Sequence, residues 1–124
     1  MAVINEPAFR NEEFLTGSVD NISRDTIVLL PQATPLNPGA VLGRVTASGK
    51  YTRVNPAASD GTQTASAILL QRAGTPGADS FAAAITCLQE VNAAELDWGT
   101  LTAPQIAAAK TQLDVRFIRV REAV

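Results

Sequence analysis

The sequence predicts a small, mainly β domain with one α-helix in its C-terminal half and an extended N-terminal arm. Three observations predict it. From Arg24 onward, short runs rich in Val, Ile, Leu and Thr alternate with Gly/Pro turn clusters. A single segment with a helix start signal begins at Thr102. Residues 1–23 carry large apolar side chains without a sustained period. At 124 residues the chain has the length of one domain, divided into an arm over 1–23 and a β-rich body over 24–124.

The arm holds Glu6, Glu12, Glu13 and Asp20 against Arg10, a net charge of −3. It also holds Val3, Ile4, Phe9, Phe14 and Leu15, with Pro7 interrupting any strand. Disordered tails are poor in aromatics, so these side chains are predicted to dock, on the domain's own surface or on a partner. Arg24–Leu30 reads as a strand ended by Pro31, and Pro31–Gly39, with three of the seven prolines, reads as a loop. Ala40–Ala47 and Lys50–Val54 form a predicted hairpin through Ser48-Gly49. Asn55–Ala65 is a loop, and Ser66–Arg72 a strand closed by Gly74-Thr75-Pro76-Gly77. The alanines of Phe81–Val91 permit a helix, but Ile85, Thr86, Cys87 and Val91 favour one strand. Thr102 and Gln105 have capping-box spacing, Pro104 sits in the first turn, and Ile106, Ala109 and Leu113 make a narrow apolar stripe. Val115 and Phe117 share one phase and Ile118 and Val120 the other, which predicts a final strand over Val115–Arg121 with a β-bulge.

Composition narrows the function. Hydrophobic residues make up 46 %, yet 21 residues are alanine, with four Phe, one Trp and one Tyr. The core is therefore thin or completed by neighbouring subunits. The chain has no His, which removes the usual general base near neutral pH. Its single cysteine, Cys87, rules out an intramolecular disulfide and a Cys-based zinc site. A net charge of −2 provides no electrostatic drive toward nucleic acid. The longest apolar run, Phe81–Ile85, is far short of the roughly 20 residues that span a membrane. The start, Met-Ala-Val-Ile-Asn-Glu-Pro, has no basic n-region. These features predict a soluble protein made in the cytoplasm, neither an enzyme nor a DNA-binding protein.

Candidate chemistry is sparse. Gly43…Gly49-Lys50 superficially resembles a phosphate loop, but five residues separate the glycines and Tyr51 follows the lysine. Glu90, Glu95 and Asp97 are the only candidate carboxylate group, with no other ligand type beside them, and a solvated role is the simpler expectation. Cys87 lies in an apolar run without a basic neighbour, as a buried, inert thiol does. Arg116, Arg119 and Arg121 are expected to pair with local carboxylates or face solvent.

Several segments, in order, resemble the phage lambda-like head decoration proteins. They are Glu6-Pro7, Glu13-Phe14-Leu15, Ser23-Arg24-Asp25-Thr26-Ile27 and Pro38-Gly39-Ala40-Val41-Leu42-Gly43-Arg44-Val45. Gly49-Lys50-Tyr51, Asp60-Gly61, Ala67-Ile68-Leu69 and Val91-Asn92-Ala93-Ala94-Glu95-Leu96-Asp97-Trp98 follow. The resemblance implies a β-clip-like domain that binds as homotrimers at local three-fold sites on the outer surface of an expanded phage head. There it would staple subunits of the major capsid protein against DNA pressure. It also implies an arm that adds to a capsid sheet, which assigns Val3, Ile4, Phe9, Phe14 and Leu15 to capsid binding. Leu96 and Trp98 are expected at the trimer contact or as anchors of the loop beside it. Nucleic acid, membranes, metals and cofactors have no place in this reading. The alternatives are a small β-rich tail, baseplate or receptor-binding virion component, and a hydrolase built on Glu90, Glu95 and Asp97.

Overall fold

The computed structural model describes residues 23–122, which form seven strands, a short 3-10 helix and one α-helix. Strands β1 (Arg24–Leu29), β2 (Val41–Arg44), β3 (Tyr51–Arg53), β4 (Ala65–Leu69) and β5 (Ser80–Ile85) close into a barrel in the order β1-β3-β2-β4-β5. The longest ladder runs antiparallel from Arg24↔Ile85 to Leu29↔Ser80, while β1 and β3 meet in parallel at Leu29↔Tyr51. Outside the barrel, β6 (Gln89–Asn92) and β7 (Ile118–Arg121) pair in parallel, Gln89↔Ile118 through Asn92↔Arg121. Between them lie the 3-10 helix Ala93–Glu95 and α1 (Ala103–Val115).

Strand alternation divides the core in two. Ile27, Leu29, Leu42, Tyr51, Ala67, Leu69, Ala82 and Ala84 fill the barrel, with Leu36 and Ala40. The intervening Val41, Ile68 and Ile85 face outward and join Val54, Ala65, Ala109, Leu113 and Ile118 under the helix. Every residue of β4 is buried because this strand has core on both faces. Alanine suits the barrel because the bore is narrow: β5 contributes Ala82 and Ala84 to it, both almost fully buried. The small side chains thus match a small barrel.

The hairpin forms as the sequence predicts, with β2 and β3 antiparallel over Leu42↔Arg53 to Arg44↔Tyr51. The helix starts after Thr102, whose backbone N–H donates to Gln105 Oε1 at 2.9 Å. Two expectations need correction. Phe81–Val91 is not one strand: β5 ends at Ile85, Leu88 adopts a left-handed φ of 52°, and β6 begins on a separate sheet. Thr86 marks the break, its amide donating to the Ser23 carbonyl (2.9 Å) and its hydroxyl to Asp25 Oδ2 (2.7 Å). Nor is there a bulge within Val115–Arg121. Val115 closes α1, Phe117 turns the chain at φ 61°, and β7 starts at Ile118. The phase slip is a helix terminus. The register shift lies instead between Leu42 and Gly43, where β2 pairs with β4.

Gly43 is required at that shift. A Cβ there would lie 2.5 Å from the Thr62 carbonyl oxygen, so the 55–64 loop could not fold back over β2. This glycine serves packing, and its strand–turn–strand setting offers no helix N-terminus for a phosphate.

Candidate functional site

Glu95-Leu96-Asp97-Trp98 is stitched to the barrel by backbone and side chains together. The Asp97 amide donates to the Gly39 carbonyl at 2.9 Å, and the Val41 amide donates to the Asp97 carbonyl at 3.3 Å. Gly39, at φ 88°, allows this approach, since a Cβ there would stand 2.7 Å from the Glu95 carbonyl oxygen. Arg53, on β3, donates from Nη2 to Asp97 Oδ2 at 2.8 Å and from Nη1 to its carbonyl at 3.3 Å. The Arg53 guanidinium holds the Asp97 carboxyl below its usual range, and the Gly99 amide adds to this against the opposing effect of burial.

Leu96 and Trp98 are half-buried and pack on the outer core beneath the helix. Trp98 Nε1 donates to the Ala93 carbonyl at 3.3 Å, and the Lys110 ammonium lies 5.9 Å from the ring centroid. Both side chains pack against residues of their own chain. Val3, Ile4, Phe9, Phe14 and Leu15 lie outside the described residues.

The candidate carboxylates do not converge. Glu90 is engaged by Arg121 at 3.0 Å, which lowers its pKa, while Asp97 is engaged by Arg53. Glu95 sits in the 3-10 helix. Among the described residues, no group of three or more His, Cys, Asp or Glu is placed to hold a metal. A groove of about 710 Å³ runs past Arg53, Asn55, Asp60, Trp98 and Gln105. Its carboxylate, Asp60, accepts the Thr62 hydroxyl at 2.6 Å and amide at 3.1 Å, which depresses its pKa. It is held ionised and carries no proton to give near neutrality. Arg116 Nε donates to the Thr86 carbonyl at 3.0 Å, a structural contact. Cys87 is half-buried.

In this geometry, polar side chains of the described residues hold the chain's own loops in place. The family model for bacteriophage lambda head decoration protein D matches residues 3–118. The chain belongs to this family. No curated protein matches it. The match starts at Val3, outside the described residues, and takes in every described strand as far as the first residue of β7. The family is a structural component of the phage head, so this is a capsid decoration protein of the virion. Two of the segments that carry the resemblance meet in space, since Ala40 and Asp97 form a parallel bridge.

The sequence did not single out Arg53. It sits in a three-residue strand, and its partner lies 44 positions away, beyond any local pattern. Leu88 and Phe117 also went unmarked, because nothing in a mixed apolar run announces a left-handed backbone.

Proposed function

We propose that the protein decorates the outer surface of an expanded phage head, binding as homotrimers at local three-fold sites and holding neighbouring major capsid subunits together against packaged DNA. Family membership over residues 3–118 is the observation that carries this reading. The side chains support a role in binding over one in catalysis. Among the described residues, Glu90, Asp97 and Asp60 are each engaged by a neighbour in the fold and serve to hold its loops and strands. The arm over 1–23 supplies Val3, Ile4, Phe9, Phe14 and Leu15 for strand addition to a capsid sheet, where backbone bonds give affinity and alternate side chains fill pockets. Leu96 and Trp98 hold the 93–101 loop beside the contact between copies. Three arms acting together convert weak contacts into tight attachment, because each raises the effective concentration of the others.

The test is binding of purified protein to emptied heads of its own phage. Expanded heads should take it up in proportion to their three-fold sites, and unexpanded heads should not. Equal binding to both, or binding to neither, rejects the proposal.

A further inference from the structure

Leu88 and Phe117 are the two non-glycine residues with positive φ among the described residues, and they are neighbours. The Leu88 amide donates to the Arg116 carbonyl at 3.4 Å, and the Gln89 amide donates to the Phe117 carbonyl at 3.1 Å. Left-handed backbone disfavours branched and aromatic side chains; glycine or asparagine adopts it more easily. This chain nevertheless places a leucine and a phenylalanine there and turns both outward, 47 % and 71 % exposed. Val115, at the adjoining end of α1, is 75 % exposed. Strained backbone that presents apolar side chains to solvent marks a binding surface more than a folding need.

The two side chains border a groove of about 440 Å³ that is also lined by Gln89, Glu90, Asp114 and Arg119. Glu90 is engaged by Arg121, Asp114 and Arg119 both line the groove, and its exposed surface is mostly apolar. The described chain also begins at this corner. Ser23 is fully buried, and its hydroxyl donates to the Leu88 carbonyl at 2.7 Å. Ser23, at the border of the arm and the body, therefore lies beside the groove.

We infer that the Leu88–Phe117 groove is the capsid-facing contact of the folded body and receives an apolar side chain of the major capsid protein. This rests on the decoration role proposed above. If the arm holds the capsid, its root faces the capsid, and the groove at that root carries the contact on from the arm into the body.

The test uses the full chain with Leu88→Asn and Phe117→Asn together. Asparagine accepts the left-handed backbone, so the variant should melt no lower than the parent and sediment identically. Its affinity for expanded heads should fall by about tenfold or more, as it does when a central apolar anchor is removed, with a salt dependence like the parent's. Unchanged affinity overturns the inference and leaves the decoration role standing. A loss of affinity accompanied by smaller assemblies in sedimentation also overturns it, because the corner would then join copies of this chain. Failure of the parent to bind expanded heads rejects the decoration role itself. Should the double variant lose its fold, Phe117→Gly alone decides by the same readout.

Discussion

The Asp97–Arg53 pair sets how firmly the 93–101 loop is held, and its pH dependence has a definite sign. Asp97 ordinarily titrates at 3.8 and is lowered in the fold, chiefly by the hydrogen bond from Arg53. A depressed carboxyl pKa means that the fold favours the charged form. The stabilisation is therefore complete above the ordinary value and is lost as pH falls through the lowered one. Both side chains are 31 % exposed, so solvent screening limits the pair. Asp97→Asn should cost roughly 1 kcal/mol at neutral pH, measured as a lower Tm or urea midpoint. The deficit against the parent should shrink as pH falls through the lowered value and vanish once both carry a neutral group. A deficit that persists there would assign the effect to loop geometry and not to charge.

At the scale of elements, the barrel bore limits side-chain size. Ala84 is fully buried and faces Leu29, Leu42 and Tyr51 across a narrow core. Ala84→Leu should destabilise by about 1–3 kcal/mol through overpacking, read from denaturant unfolding; a neutral result would show a void in the bore. The arm is the second element with a direct test. The described strands, the hairpin and the helix with its cap lie within residues 24–121. A chain lacking residues 1–16 should therefore keep its circular dichroism and thermal midpoint but fail to decorate expanded heads. Undiminished decoration would move the capsid contact wholly into the body. Much of this level was legible in the sequence. The run Arg24–Leu30 ended by Pro31 marked β1, Ser48-Gly49 marked the hairpin, and Thr102 with Gln105 marked the helix start. What eluded it depended on distant partners or on backbone sign. The break after Ile85 follows from Thr86 bonding to Ser23 and Asp25, more than 60 positions away. Barrel closure through the parallel contact of Leu29 with Tyr51 leaves no local trace. The site was less legible: Leu96 and Trp98 stood out by residue type, but Arg53 and the Leu88–Phe117 corner follow only from the folded chain.

In the proposed role, the whole molecule would act on the head through linkage. A ligand that binds only the intact, expanded lattice stabilises it by RT ln(1 + [L]/Kd) for each site, which is about 2.7 kcal/mol when free protein stands at 100 times its Kd. The body suits this role because its two cores, inside the barrel and beneath the helix, share β4. If the arm and the Leu88–Phe117 corner hold the capsid as proposed, strain applied through them would reach a packed unit, since close-packed interiors compress little and transmit force. Heads stripped of the protein should release DNA at a lower temperature, or under milder chelator or osmotic stress, than heads restored with it. The protection should rise with occupancy and level off when the three-fold sites are filled. Arm-truncated protein added at the same concentration should give little protection, because it lacks the multivalent attachment that keeps occupancy high. DNA release followed by dye fluorescence during a temperature ramp reads all three samples. Identical release from stripped and fully decorated heads would separate binding from stabilisation and reject the stapling role, even with every three-fold site filled.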